Sequence, residues 1–126
     1  MRAARAAHDL SLRGLPQRPP SRSERLAGWL LVLRGHRVLA HRLRTPAAEV
    51  DLVCRRGRTL VLVEVKVRRH EGRGSAAEAI GPRQAERLRA AAEWLLARSD
   101  WACDARIDLV AFDGLRVHHV RNACAP

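Results

Sequence analysis

The stretch that decides the fold is TLVLVEVKV at residues 59–67, an apolar run that also carries Glu64 and Lys66. Successive side chains of a β-strand point to opposite faces of a sheet, so this stretch predicts a strand with a charged end on one face. The chain has 24 Lys and Arg residues, and only Lys66 is a lysine. This lone ammonium beside a carboxylate is the first candidate for a chemical role.

The preceding stretch AEVDLVC at 48–54 predicts a second strand, joined to the first through RRGR at 55–58. If Arg56 and Gly57 form a two-residue turn, Asp51 faces Leu62 and Glu49 faces Glu64. Glu49, Asp51, Glu64 and Lys66 then emerge together on one face of the hairpin. The other face is apolar, and we expect it in the core; it carries Val50, Leu52, Val61, Val63, Val65 and Val67.

The remaining elements are predicted from the spacing of apolar residues and from residues that begin or end helices. SRSERLAGWLLVLRG at 21–35 predicts a helix capped by Ser21 or Ser23 and ended by Gly35, and a long helix starts at Pro82 and runs to residue 100. Further strands are predicted at 37–43, 105–112 and 115–120, with a short helix in SAAEAI at 75–80. The order α-β-β-β-α-β-β predicts an α/β protein with a mixed (α+β) sheet. The expected buried helix positions are Leu26, Trp29, Leu30 and Leu33 on the first helix and Leu88, Ala91, Ala92, Trp94, Leu95 and Leu96 on the second.

Length and charge set the class of protein. The 126 residues suggest one domain at 21–122, preceded by a flexible basic arm at 1–20. A net charge of +11 favours an anionic partner, most simply nucleic acid. Three cysteines without a C-x-x-C pair indicate a reducing, cytoplasmic compartment, and no apolar run approaches the ~20 residues of a membrane span.

The acidic end of the hairpin favours a metal site. Neighbouring carboxylates repel each other, and a divalent cation would relieve that repulsion. Oxygen ligands suit Mg²⁺ or Mn²⁺, and the ammonium of Lys66 could orient a water or stabilise charge on a phosphate. The alternative is a surface Glu–Lys ladder without a chemical role.

The same residues resemble a known signature. E-V-D-L followed by V-E-V-K is similar to the metal-nuclease motif of the PD-(D/E)XK superfamily. More closely, residues 23–112 resemble the uncharacterised bacterial YraN-like family (UPF0102), through Glu24, AEVDLVC, VLVEVK, GRGSAAEAIGPRQ and IDLV in this order. The resemblance implies a restriction-endonuclease-like or Holliday-junction-resolvase-like core.

The resemblance also implies roles. Asp51, Glu64 and the backbone carbonyl of Val65 would bind Mg²⁺ or Mn²⁺, and Lys66 would be the catalytic cation. Glu24 would assist from the first helix, with Glu49 and Gln84 as accessory residues. Resolvase-like nucleases often act as homodimers, although no interface is readable in this sequence.

These observations lead to three functional hypotheses. The first is a Mg²⁺-dependent nuclease acting on DNA, whose phosphates would be bound by Arg55, Arg56, Arg58, Arg68, Arg69 and Arg73. The second is a non-catalytic nucleic-acid-binding protein of the same fold. The third is a structural or interaction domain with a basic surface. Asp108, in IDLV, is expected to have a structural role.

Overall fold

The computed structural model describes residues 12–68 and 80–124. These residues form two helices and five strands in the order α-β-β-β-α-β-β, which confirms the predicted mixed α/β class. The elements are α1 (Arg22–Leu33), β1 (Arg37–Arg44), β2 (Glu49–Arg56), β3 (Thr59–Arg68), α2 (Pro82–Arg98), β4 (Asp104–Asp113) and β5 (Arg116–Val120). The short helix predicted at 75–80 lies outside the described residues, except for Ile80.

The five strands form one sheet in the order β1-β2-β3-β4-β5. The β3 and β4 strands are parallel, and every other neighbouring pair is antiparallel. Parallel neighbours require a crossover connection, and α2 lies in the connection between β3 and β4. The mixed sheet therefore follows from a helix placed between two apolar strands.

The turn of the central hairpin differs from the prediction. The strands pair Leu52 with Val63 and Arg56 with Thr59, so the turn is Gly57-Arg58 and not Arg56-Gly57. Gly57 has φ +62°, a left-handed conformation that glycine adopts without strain at the first turn position. The predicted register was wrong by two residues; because two is even, each side chain keeps its predicted face.

Helix α1 packs on the sheet through a different face from the one predicted. Ser21 and Glu24 form a capping box at its start, and Gly35 with φ +85° follows its end. The face against the sheet contains Ala27, Gly28 and Leu31. A Cβ at Gly28 would lie 3.8 Å from the Val38 side chain, so small residues bring the helix close to the sheet. The predicted stripe was wrong at Leu26, Trp29 and Leu33, which are exposed, whereas Leu30 packs half-buried against the α1-side cluster.

Helix α2 covers the opposite face of the sheet, and most of the stripe predicted for it is buried there. Leu88, Ala91, Ala92 and Leu95 are buried in one cluster with Val53, Leu60, Leu62 and Ile107 from the strands, and Trp94 packs against that cluster half-buried. The predicted apolar face of the hairpin is largely confirmed, because Leu52, Val61 and Val63 are buried under α1. Val50 is buried within the α2-side cluster instead, and Val67, near the end of β3, is exposed.

The described part of the predicted basic arm, residues 12–20, lies against the folded domain. Leu12 is buried in the α2-side cluster, and Gln17 forms a β-bridge with Leu43. Arg18 places its guanidinium 2.7 Å from the Glu49 carboxylate. This segment therefore packs on the edge of the sheet and does not extend away from it, while residues 1–11 lie outside the described part.

Neither described helix combines the length and apolar character needed to cross a membrane. All three cysteines are free thiols, with Cys54 and Cys124 buried and Cys103 exposed.

Candidate metal centre

The centre of the site is a pair of carboxyl groups on adjacent strands. Because Leu52 pairs with Val63, the next residues along the two strands, Asp51 and Glu64, lie level with each other. The Oδ2 atom of Asp51 accepts a hydrogen bond of 2.8 Å from the backbone N–H of Val65. Glu64 is buried, so two acidic groups share a region with little access to water.

The pKa of Asp51 reflects this environment. Burial, followed by the negative charge of Glu64, raises the pKa of Asp51 from 3.8 to about 7. The hydrogen bond from Val65 acts in the opposite direction, and the negative charge of Glu24 adds to the rise. Without a nearby divalent cation, Asp51 therefore keeps its proton almost to neutral pH, which is the behaviour of an acidic pair short of positive charge.

Two polar groups contact Glu64 on the same face. The Nζ atom of Lys66 lies 3.2 Å from Glu64 Oε2, since residues two apart on a strand share a face. Gln84, in the first turn of α2, donates a hydrogen bond from Nε2 to the same oxygen. Glu64 is thus held between the lone lysine and an amide from the crossover helix, and the predicted neighbours Asp51, Glu64, Lys66 and Gln84 are brought together.

Glu49 is held apart from this pair. Its carboxylate is 2.7 Å from Arg18, 3.5 Å from Arg42 and 3.9 Å from Arg44. The hydrogen bond from Arg18 is the main cause that holds the pKa of Glu49 below its usual value. The predicted repulsion between Glu49 and Glu64 was wrong, because the register does not pair them.

Glu24 mainly stabilises the start of α1. Its Oε1 atom accepts a hydrogen bond of 2.7 Å from the Ser21 N–H in the capping box and lies 4.0 Å from Nε of Arg42. Its charge still contributes to the raised pKa of Asp51, so Glu24 lies near the pair.

Two residues near the site were missed by the sequence analysis. Arg42 has φ +43°, which is unusual for a residue with a long side chain, and its guanidinium lies between Glu24 and Glu49. His41 has a buried Nδ1 without a hydrogen-bond partner among the described residues, and burial lowers its pKa. The stretch RVLAHRL contains no motif that marks either residue, because their roles depend on the neighbours that the fold supplies.

The arginines of the hairpin turn are separated from the acids. Arg55 stacks over the Trp101 ring at 4.3 Å, and Arg58 donates to the Trp101 carbonyl. Glu64 is five residues beyond Thr59, which corresponds to roughly 16 Å along β3. The turn, which also carries the exposed Arg56, is therefore at the far end of the hairpin. Arg68 lies beyond Lys66 at the acidic end of β3, whereas Arg69 and Arg73 fall outside the described residues.

A second buried polar cluster surrounds Asp108. Its carboxylate accepts hydrogen bonds from Arg106 at 3.0 Å, from His119 at 2.9 Å and from the Asn122 N–H at 3.0 Å. Burial alone would raise the pKa of Asp108, but these three partners outweigh it and lower the pKa. Arg106 also contacts His36 Nε2 at 2.9 Å. These contacts fit the structural role expected for Asp108, and the histidines had no sequence signal.

The donor set can be compared with what a metal requires. Within residues 12–68 and 80–124, no group of three or more His, Cys, Asp or Glu side chains is arranged to hold a metal ion. Mg²⁺ is commonly bound through one or two carboxylates together with waters and substrate phosphates. Asp51 and Glu64 supply two hard oxygen donors, so the pair fits Mg²⁺ or Mn²⁺ better than zinc, which prefers His and Cys.

A small cleft adjoins the site. Its volume is about 240 Å³, and its lining residues are Ala47, Ala48, Glu49, Gln84, Arg87 and Leu88. Gln84 connects this cleft to Glu64, and Arg87 provides a cation on its wall. The cleft therefore lies beside Gln84, the residue that contacts Glu64, and its wall carries one cation, Arg87, and one acid, Glu49.

Fold and site together define a mixed α/β domain with a carboxyl pair, one half-buried and one buried, and an adjacent lysine on its central hairpin. The chain belongs to the family described as "Uncharacterised protein family UPF0102", whose model matches residues 23–112. The family membership predicted from the motifs is thereby confirmed.

Relatives in this family are known from several bacteria. The UPF0102 protein of Parvibaculum lavamentivorans is 59% identical over 78 residues, which cover 61% of this chain and 56% of that relative. Acidiphilium cryptum has a UPF0102 protein that is 48% identical over 101 residues, covering 79% of this chain and 77% of the relative. One from Halorhodospira halophila is 39% identical over 109 residues, covering 86% and 88%.

Proposed function

We propose that this protein is a Mg²⁺- or Mn²⁺-dependent nuclease that hydrolyses phosphodiester bonds in DNA. The observation that carries the proposal is the pair of the half-buried Asp51 and the buried Glu64, with the ammonium of Lys66 3.2 Å from Glu64. An acidic pair in which burial strongly raises the pKa of Asp51 is costly for a folded protein and is typical of functional sites. This energetic cost favours a metal-binding role over the alternative of a surface Glu–Lys ladder without a chemical role.

Each residue of the site has a defined role in this proposal. Asp51, Glu64 and the carbonyl of Val65 would hold the metal, and Gln84 would orient the Glu64 carboxylate through its hydrogen bond. When bound, Mg²⁺ polarises a phosphoryl oxygen and lowers the pKa of a bound water. Lys66 would stabilise the negative charge that develops on the phosphate.

The surface charge supports a nucleic-acid substrate. The chain carries a net charge of +11, and Arg87 lines the cleft beside the site. The turn arginines, roughly 16 Å from Glu64 along β3, would contact phosphates several nucleotides from the reacting one. Such contacts position the nucleic acid without reading its sequence.

The test is a cleavage assay on single-stranded, duplex, nicked and branched DNA with Mg²⁺ and Mn²⁺. Wild-type protein should cleave at least one of these structures, and Asp51→Asn should lower the rate by at least about 100-fold, because it removes a metal ligand. Lys66→Arg should also lower the rate, since a planar guanidinium does not replace a compact ammonium. Glu93→Gln, an exposed change in the middle of α2, is the matched control and should keep full activity.

The second candidate is a non-catalytic nucleic-acid-binding protein. It is favoured by the ion pairs inside the acidic region, where Glu49 contacts three arginines and Glu64 contacts Lys66. DNA binding that weakens with salt, is unchanged in Asp51→Asn and is never followed by cleavage would support this candidate against the nuclease. Absence of DNA binding at low salt would contradict both and favour an interaction domain.

A further inference from the structure

Helix α1 covers only part of its face of the sheet. It packs over β1, β2 and β3, and Gly28 brings it close to Val38 of β1. In the part of the chain that the structure describes, no second helix lies beside α1 on the same face, over the ends of β4 and β5. Adjacent strands are about 4.8 Å apart, so two uncovered strands leave a width of about 10 Å, which is the diameter of one α-helix.

The side chains on this uncovered area are apolar. Val67 of β3 pairs with Phe112 of β4, which pairs with Val117 of β5, so the three lie side by side across three strands. Phe112 packs half-buried against the same cluster as Leu31, which places the row on the face that α1 covers. Val67 is 59% exposed and Val117 is 45% exposed. Neighbouring apolar side chains that are this open to water are typical of a binding surface.

One flank of α1 adds an apolar wall to this floor. Leu26, Leu30 and Arg34 are spaced by four positions, so they form one row along the helix and its C-cap. The Arg34 guanidinium lies 2.8 Å from His119 Nδ1 on β5, so the row faces the uncovered strands. Leu26 is 54% exposed, and Leu30 is half-buried. We call the wall and the floor together the α1–β5 surface, which consists of Leu26, Leu30, Val67, Phe112 and Val117.

The charges that α1 contributes around this surface are positive. Its exposed charged side chains are Arg22 and Arg25, and Arg34 follows its last turn. The acidic residue of the helix, Glu24, is buried in the capping box. The whole chain carries a net charge of +11. An apolar surface with such a rim complements a partner that combines apolar and acidic side chains.

The acids of β4 on this face do not offset these cations. Asp108 is fully buried, and its carboxylate accepts hydrogen bonds from Arg106 and His119. Asp104 is exposed, but it lies at the start of β4, at the opposite end of the strand from the apolar row, and accepts a hydrogen bond from Thr59. The apolar end of the face is therefore left without an exposed acid on α1 or β4.

We propose that the α1–β5 surface binds an amphipathic helix of another protein, in which acidic residues flank the apolar side chains. The bound helix lies beside α1, with its apolar side chains on Phe112 and Val117 and its carboxylates toward the arginines of α1. Recognition of this kind uses apolar residues at i, i+3, i+4 and i+7 as anchors. A partner helix as long as the 12 residues of α1, roughly 18 Å, is sufficient to cover the floor.

The observations favour this partner over three other classes. A second copy of the chain would bring the same arginines and the same charge of +11 to the contact. Nucleic acid needs cations for its phosphates, and the floor of Val67, Phe112 and Val117 has none. A flat lipid bilayer would touch the outer side of α1 before it reached the strands, because a helix is about 10 Å thick and stands above the sheet that it covers.

Two synthetic peptides of about 14 residues test the proposal. Both carry leucine at i, i+3, i+4 and i+7, and the remaining positions are rich in glutamate in one peptide and in lysine in the other. Fluorescence anisotropy of the labelled peptides is measured with the full chain at about 0.15 M salt. The glutamate peptide should bind at least about tenfold more tightly than the lysine peptide, and the difference should become smaller as salt is added.

Single substitutions locate the binding surface. Leu26→Glu on the wall and Val117→Asp on the floor should each weaken binding of the glutamate peptide at least about tenfold, because they place a negative charge in the apolar contact. Val32→Glu is the matched control and should change the affinity by less than about twofold. Val32 is 38% exposed on the same helix, but it lies four residues after Gly28 and therefore on the flank toward β1. Thermal unfolding verifies that each variant is folded.

Several results would overturn the proposal. A wild type that does not bind the glutamate peptide, or that binds the lysine peptide equally well, would contradict the acidic partner, and an equal loss in Val32→Glu would contradict the location. Leu26→Glu and Val117→Asp are also tested for binding of single-stranded DNA, for binding of phosphatidylglycerol vesicles and for any mass above 14.1 kDa in sedimentation equilibrium. A loss in one of these assays would assign the surface to nucleic acid, lipid or a second copy instead. None of these readouts depends on nuclease activity.

Discussion

Replacing Asp51 by asparagine should stabilise the metal-free protein above neutral pH. The pKa of Asp51 rises from 3.8 to about 7, chiefly because the carboxyl group is buried. Each pKa unit corresponds to 1.36 kcal/mol, so full ionisation of Asp51 costs the folded protein at most about 4 kcal/mol. Asparagine has no charge to bury, and its oxygen can still accept the hydrogen bond from Val65.

The pH window of the effect follows from the sign of the shift. Between pH 3.8 and about 7 the unfolded chain loses the Asp51 proton before the folded chain does. The folded state then binds more protons, so its stability falls as the pH rises through this window. Below this window Asp51 is neutral in both the folded and the unfolded chain, so Asp51→Asn should have the same stability as the wild type. Above it, Asp51→Asn should gain about 2–3 kcal/mol, less than the upper bound because Lys66 and solvent offset part of the cost.

Urea and thermal unfolding at about pH 8 and about pH 4 measure this difference, with an expected rise of roughly 5–10 °C in Tm at the higher pH. Glu93→Gln removes an exposed acid and is the control for a general loss of negative charge. Mg²⁺ should raise the Tm of the wild type but not of Asp51→Asn, since a ligand stabilises only the state that binds it. Equal stability of the two proteins at pH 8, or an equal response to Mg²⁺, would refute the reasoning.

Three other variants test the surroundings of the site. Arg42→Gly should be about 1 kcal/mol more stable than Arg42→Ala in urea unfolding, because residue 42 has φ +43° and glycine adopts this conformation without strain. Asp108→Ala should lower the free energy of unfolding by about 3–5 kcal/mol, since it removes the fully buried carboxylate that Arg106, His119 and the Asn122 N–H share, and a loss below about 1 kcal/mol would contradict this account. Burial lowers the pKa of His36, so the folded protein resists its protonation and loses stability as the pH falls below 6.5. His36→Gln should reduce the slope of stability against pH between about pH 7 and 5, as measured by urea unfolding.

Much of the fold could be predicted because it depends on local patterns. The apolar stretch at 59–67 and the stripe of Leu88, Ala91, Ala92 and Leu95 have the periods of a strand and of a helix, and both elements were found. Pro82 and Gly35 mark a helix start and a helix end through their own backbone preferences. The predicted faces of the hairpin were correct although the predicted turn was wrong, because a register shift by an even number of residues leaves each side chain on the same face.

The errors arose where two segments had to be fitted together. The choice between an Arg56-Gly57 turn and a Gly57-Arg58 turn depends on the position at which the left-handed residue stands in the turn. The observed turn moves Asp51 from the level of Leu62 to that of Glu64. On α1 both sides carry apolar residues, and the sheet accepted the side with Ala27 and Gly28, because a helix with small residues approaches a flat surface more closely. Trp29 was left outside for the same reason.

The sequence alone determined the family, the order of the elements and the shared face of Asp51, Glu64 and Lys66, because motifs and alternation are properties of neighbouring residues. Tertiary structure decided which charges meet: that Gln84 contacts Glu64, that Arg42 lies between Glu24 and Glu49, and that the turn arginines are far from the acids. Tertiary structure also decided the pKa of Asp51. Burial and the negative charge of Glu64, which is distant in sequence, act on Asp51 only after the strands pair. Electrostatic effects depend on distance in space and on the exclusion of water, and neither is encoded in any short stretch of the chain.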